Sequence, residues 1–408
     1  MKDKILKQLI EKLRQYHLDF SKMNKEDFSQ EAQAVLKTIL KKNKDLSITT
    51  IDEKEIIEEA LAHFFGFGPI EKLLKDPTIS EILINGPKQV YIERMGNLEL
   101  TDITFWDESH LMYFIEKMLL PSGRRVSETE PYIDARLDDG SRVNVVVKPI
   151  SWAGPIVTIR KFMHQIFTLD ELIKAKTLNK LTADFLKACA ISRLNILITG
   201  GASTGKTTLL NSLASFIPER ERIIVIEDVR ELHIAKDHIV YLETRPPNIE
   251  GKGEIKIKDL FKNALHMRPD RIIIGEVKSE EVWDMIQAMN TGHEGSMATL
   301  HANSTLDALD RLETLFITGS HPNFSPELAK RQIIRAIDLI IQMNRFIDGS
   351  RKIIQISEVL KTKEYNLQDI FVFDDKDNEL KFTGIVPTFY PRLKKEANFF
   401  CEEFEKNG

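Results

Sequence analysis

The run Gly200-Gly201-Ala202-Ser203-Thr204-Gly205-Lys206-Thr207 fits the pattern G-x-x-x-x-G-K-[ST] at every fixed position. Its flanks leave it one structural setting. Leu194-Asn195-Ile196-Leu197-Ile198-Thr199 is short, apolar and rich in strand formers. Residues 207–216 carry Leu and Ala at helical spacing and stop ahead of Pro218. Strand, glycine loop and helix together make backbone amides converge on phosphate oxygens at the positive end of a helix dipole. In that setting Gly200, Gly201, Ala202, Ser203, Thr204, Gly205, Lys206, Thr207 and Thr208 form the phosphate cradle. Lys206 reaches the β- and γ-phosphates, and the Thr207 hydroxyl ligates Mg²⁺. A bound nucleoside triphosphate with Mg²⁺ is the expectation.

Asn24-Lys25-Glu26-Asp27 fits the N-K-x-D pattern that reads guanine. It lies on a helical pattern upstream of the loop, whereas GTPases place it downstream, so it is read as coincidence.

A chain of 408 residues is too long for one compact core. Residues 1–50 are rich in Lys, Glu, Leu and Ile at helical spacing and read as a helical N-terminal appendage. Residues 51–150 read as an α+β domain. A helix over 51–65 leads into Gly66-Phe67-Gly68-Pro69; strand-like runs follow at 81–84, 89–93 and 142–147, with a helix at 108–120. Residues 151–164 read as a linker, with a strand at 156–160. Over 165–408 apolar strands at 194–199, 223–227, 239–243, 271–275, 297–300 and 337–342 alternate with helices. Continuous apolar strands predict a mostly parallel α/β sheet covered on both faces. Short strands at 353–359, 370–374 and 380–384, then a charged helix, close the chain.

The balance of 57 basic and 62 acidic residues gives a net charge of −5, without the basic field that nucleic-acid binding needs. Cys189 and Cys401 lie far apart, which excludes a four-cysteine zinc site and fits a reducing compartment. No apolar run approaches the ~18–20 residues of a membrane span. The charged amphipathic N-terminus does not resemble a secretory leader. The expectation is a cytoplasmic protein that meets the membrane through partners.

Phosphoryl transfer also needs a group to orient water and positive charge on the transition state. Ile223-Ile224-Val225-Ile226-Glu227-Asp228-Val229-Arg230-Glu231 is a buried strand ending in carboxylates, at the edge where open α/β sheets bind ligands. A carboxylate there can hold a water beside the γ-phosphate. Arg271-Ile272-Ile273-Ile274-Gly275-Glu276 is a second apolar strand with an acidic end. Gly275 permits a close approach, and Glu276 is expected to meet Mg²⁺ through a water. His293 and His301 flank a third strand; His301 ends it, the usual place of a γ-phosphate sensor. The pair lacks H-E-x-x-H spacing, so zinc hydrolysis is not supported.

The order GGASTGKTT, IEDVREL, LETRPPNIEGKGEI, RPDRIIIGEV, QAMNTGHEGSMATLHANS resembles the secretion ATPase superfamily, and within it the motors of tight-adherence (Tad) pili. The similarity spans about residues 60–345. It implies a RecA-like P-loop domain behind the smaller N-terminal domain, in a homo-hexamer that hydrolyses ATP with Mg²⁺. It implies that Glu231 activates water, with Glu227 and Asp228 supporting the metal and water network. Glu276 matches the Walker B glutamate, and His293 and His301 match the histidine box. Arg136, Arg142 and Arg160 match arginines that the family's N-terminal domain supplies to the phosphates, so that ATP sits between the two domains. Thr204 stands where the family more often has Ser or Gly; backbone amides do the binding there, so the change is tolerated. The implied partners are inner-membrane platform proteins and other pilus machinery subunits, holding the motor at the membrane periphery. A type IV secretion ATPase shares the boxes and is the nearest alternative. A hexameric helicase lacks support in the absence of a basic stripe and an aromatic stacking strand.

Overall fold

The structure is a computed structural model. It describes residues 2–15, 23–42, 50–94, 96–162, 168–245, 247, 251–319 and 324–406. Positions 246 and 248–250 of the LETRPPNIEGKGE run lie outside the described residues. So do 16–22 and 43–49 of the expected appendage and 163–164 of the expected linker. The chain divides into two compact units, Met1–Met163 and His164–Gly408.

In the first unit, helices α1 (Lys2–Gln15), α2 (Lys25–Lys42) and α3 (Thr50–Phe65) pack pairwise. Their seam includes Ile5, Leu9, Phe28, Ala32, Leu36, Ile56 and Ala60, spaced four residues apart within each helix as an amphipathic helix requires. A six-stranded antiparallel sheet follows, built from β1 (Ile79–Asn85), β2 (Val90–Arg94), β3 (Asn97–Leu100), β4 (Tyr132–Arg136), β5 (Arg142–Val146) and β6 (Ile156–Arg160). Its order is β3-β2-β1-β6-β5-β4. The short helix α4 (Glu71–Lys75) precedes β1, and α5 (Glu108–Leu119), capped by Asp107, buries Phe114, Ile115 and Met118 against Ile82, Val143 and Val157. Strands β3 and β4 are additions to the sequence reading. β6 lies inside the stretch read as a linker, yet it pairs with β1 on one side and β5 on the other.

The second unit holds a nine-stranded sheet in the order β15-β14-β13-β12-β7-β11-β10-β8-β9. Its parallel part is β7 (Ile196–Gly200), β8 (Ile223–Glu227), β9 (Ile239–Glu243), β10 (Arg271–Val277), β11 (Met297–Leu300) and β12 (Leu339–Arg345). β13 (Arg351–Val359), β14 (Leu367–Asp374) and β15 (Glu379–Phe382) extend it antiparallel. The α/β class with a mostly parallel sheet is therefore borne out, and the C-terminal strands join the same sheet. Alternation sorts each strand between two cores. Ile196, Ile198, Ile223 and Val225 enter one, whereas Leu197, Ile224 and Ile226 enter the other.

Helices α6 (Leu169–Lys174), α7 (Lys180–Ile191) and α8 (Lys206–Ala214) contribute to the first core. α9 (Ile257–Leu265), α10 (Glu281–Asn290), α11 (Thr305–Gly319) and α12 (Pro326–Ala336) cover the second. The terminal α13 (Tyr390–Ala397) and α14 (Glu402–Glu405) return to the first through Leu393 and Phe404. Among the described residues no helix is long and apolar enough to cross a membrane.

Candidate functional site

β7 delivers the chain to the phosphate loop from the middle of the sheet, between β11 and β12. Gly200 takes φ +152°, and a Cβ there would lie 2.6 Å from the Met343 carbonyl oxygen, so no side chain fits. Gly205, at φ +93°, turns the loop into α8, whose N-terminus carries no side-chain cap. Lys206 is buried, and its Nζ donates to the carbonyls of Gly200 (3.1 Å) and Gly201 (2.6 Å). Thr204 Oγ1 donates to the Gly201 carbonyl at 3.0 Å. Thr207 and Thr208 occupy the first turn of α8.

Because β8, β10 and β11 run parallel to β7, their C-terminal ends emerge at the loop's edge of the sheet. Asp228, Glu276, Lys278 and His301 meet there in one chain of charge. Lys278 Nζ lies 2.7 Å from Asp228 Oδ2 and 3.0 Å from Glu276 Oε2; His301 Nε2 lies 2.5 Å from Glu276 Oε1. Against the opposing effect of burial, the hydrogen bonds to Asp228 and Glu276 hold the Lys278 ammonium above its ordinary range. Burial, reinforced by the Lys206 charge, pushes His301 below its ordinary value. A neutral imidazole donating Nε2–H to Glu276 fits both observations. Both Glu276 oxygens are therefore engaged. Thr299 Oγ1 fixes the strand beneath by donating to the Gly275 carbonyl at 2.5 Å.

Glu227 does different work from Asp228. Its carboxylate is buried and accepts the amides of Glu231 (3.0 Å) and Leu232 (3.1 Å). Burial raises its carboxyl to about 7, and the two amides only partly counter this. The close approach that Gly275 permits is made by Glu227 itself, since a Cβ on Gly275 would stand 2.7 Å from Glu227 Cγ. Glu231 thus sits half-buried on a loop held at one end by Glu227. Two residues on, the His233 amide donates to Asn211 Oδ1 of α8 at 2.9 Å. The loop that carries Glu231 is thereby tied to the helix that carries Lys206.

His293 is not brought to this edge. It precedes β11, and its carbonyl accepts Ser296 Oγ (2.8 Å) where Ser296 begins the pairing with Ile196. A strand of four residues, on the order of 13 Å long, separates it from His301.

In the first unit Arg136, Arg142 and Arg160 stand directly opposite one another across β4, β5 and β6. Residues paired this way share a face of the sheet. The row continues into Glu81 of β1, whose carboxylate is 4.0 Å from Arg160 Nε, and then into Glu93 of β2.

Lys278, Asn211 and Arg351 enter the picture only with the structure. Lys278 had a faint signal, a cation two places after Glu276. Asn211 and Arg351 had none, because their roles depend on contacts 22 and 148 residues away in sequence.

Among the described residues no group of three or more His, Cys, Asp or Glu side chains is placed to hold a metal ion by itself. The donors at this edge are oxygens, from Thr207, Asp228 and Glu276. That set suits Mg²⁺, which takes one or two protein oxygens and completes its shell with phosphate and water.

A family model of type II/IV secretion system proteins matches residues 65–368. The conjugal transfer protein TrbB of Rhizobium radiobacter is 30% identical over 297 residues, covering 72% of this chain and 86% of the relative. The type IV secretion system protein VirB11 of Bartonella henselae is 30% identical over 324 residues, covering 71% and 90%. The solved structure of the pilus retraction motor PilT with bound ADP superposes with a TM-score of 0.51 at 20% identity, covering 81% of this chain and 85% of that one.

Proposed function

The chain belongs to the type II/IV secretion system protein family, and from that premise we propose that it is a hexameric ATPase driving a Tad-type pilus. The observation that carries an ATP-hydrolysing reading is the meeting of the phosphate loop with the Asp228–Lys278–Glu276–His301 chain at one sheet edge. In this reading Lys206 and the amides of residues 200–208 bind the phosphates. Thr207 and, through water, Glu276 would hold Mg²⁺, which supplies charge neutralisation on the phosphates. Glu231 orients the attacking water, and His301 reports on the γ-phosphate through Glu276. Three guanidinium groups in a row, Arg136, Arg142 and Arg160, suit phosphate oxygens. Work would pass to inner-membrane platform proteins from a cytoplasmic ring.

The names of the relatives favour a second reading, a traffic ATPase of type IV secretion. Three experiments bear on these readings, and the gene deletion separates the two. Lys206→Ala should lose tight ATP binding, and wild-type affinity in that variant would remove the nucleotide reading altogether. Deleting the gene should abolish surface pili and leave conjugal transfer intact; the reverse outcome selects the secretion reading. Mass measurement with a non-hydrolysable ATP analogue should give six subunits.

A further inference from the structure

The hairpin of β12 and β13 forms one wall of the phosphate loop, and one of its residues holds the loop's backbone. Arg351, the first residue of β13, donates Nε–H to the Ser203 carbonyl at 3.0 Å. Ser203 is the non-glycine residue of the loop that takes a left-handed conformation, φ +55°. A residue with a side chain is disfavoured there against an ordinary backbone. The packing around Arg351 is close. A Cβ on Gly205 would lie 3.5 Å from Arg351 Cδ and 3.4 Å from Met343 Cε, so the arginine stem and Met343 fill the space the glycine leaves. The hairpin is itself well fixed. Arg345 pairs with Arg351, the Phe346 amide donates to the Ser350 carbonyl at 2.8 Å, and Asp348 accepts the Ser350 amide at 2.9 Å.

A trans peptide plane points its carbonyl and its following amide in opposite directions. A donor that fixes the Ser203 oxygen on the β13 side therefore aims the Thr204 amide away from β13. If the bond to Arg351 is lost, the plane can turn and present a carbonyl dipole where an amide should face an anion. We propose that Arg351 is a positioning residue of the phosphate loop, holding the Ser203–Thr204 peptide so that the Thr204 amide is offered to the phosphates of a nucleotide. The inference rests on reading this loop as a nucleotide site.

The test is Arg351→Met and Arg351→Lys in the full chain. It reads dissociation constants for a fluorescent ATP analogue, steady-state turnover, and amide exchange over residues 200–207 without nucleotide. A hydrogen bond from a charged donor is worth ~1.5–3 kcal/mol, so Arg351→Met should weaken binding by roughly 10- to 100-fold. KM should rise in step while kcat at saturation stays within about threefold, since uniform binding is what is lost. Exchange over the loop should quicken. Arg351→Lys, which can still donate to Ser203, should restore affinity to within about threefold of wild type. Wild-type affinity and exchange in Arg351→Met would overturn the role. If Arg351→Met does not fold, Arg351→Ala takes its place: wild-type affinity and exchange in that variant overturn the role. Tight binding by Lys206→Ala would instead remove the nucleotide reading itself, so the two failures are distinguishable.

Discussion

A methyl group on Gly275 would stand 2.7 Å from Cγ of Glu227, so the buried carboxylate at the end of β8 exists only because β10 carries no side chain beside it. Gly275→Ala must push Glu227 out of its place or move a central strand. Overpacking of this kind costs about 1–3 kcal/mol, and the loop amides of Glu231 and Leu232 would lose their acceptor as well. Urea denaturation checks the stability loss. Unchanged stability in Gly275→Ala would mean the two residues are not in contact.

Glu227 also makes stability depend on pH. Burial holds its carboxyl at about 7, against 4.5 for the ordinary group. The folded protein keeps a proton that the unfolded chain releases between those values. This contribution is complete below the unfolded value and fades as pH rises through 7; it amounts to about 3 kcal/mol at most. Stability of the wild type should fall across this window, and Glu227→Gln should fall less. Identical pH profiles for the two proteins count against the assignment.

Glu231→Gln should bind ATP normally and turn over about 10²–10⁴-fold more slowly, the range in which a positioned base contributes. Glu227→Gln, which keeps an acceptor for the Glu231 amide, should retain more activity. Equal turnover in Glu231→Gln and wild type moves the base to another carboxylate.

Lys278 separates two carboxylates that would otherwise repel. Lys278→Met should leave ATP affinity within about twofold and lower turnover by at least about tenfold, because Asp228 and Glu276 lose their shared partner. Lys278→Arg should recover part of the rate. Full activity in the methionine variant would show that the bridge has no part in turnover.

The phosphate loop was legible in sequence because everything it needs is local: an apolar strand, two glycines, a lysine and a helix within some twenty residues. The parallel strands were legible for a related reason, since burial on both faces leaves a continuous apolar run. Pairing across distance was not. Nothing in residues 351–359 announces that they run antiparallel beside β12, and hence that Arg351 meets Ser203. His301 was legible as the residue that ends a strand, but that this end lies beside the phosphate loop, and His293 away from it, follows from the parallel pairing of β11 with β7. That Gly275 permits a close approach was legible, but not its partner, which lies 48 residues earlier on a neighbouring strand.

The alignment of Arg136, Arg142 and Arg160 sets a condition on the solution around the protein. Like charges on neighbouring strands repel, and the Glu81 carboxylate stands 4.0 Å from Arg160 Nε at the end of the row. Dissolved anions soften that repulsion within a Debye length of about 8 Å at physiological ionic strength. The first sheet thus behaves as a gauge of its ionic surroundings: dilute buffer stiffens the demand for a multivalent anion, and concentrated salt quiets it. Sulfate should consequently raise the melting temperature of the protein more than chloride at equal ionic strength.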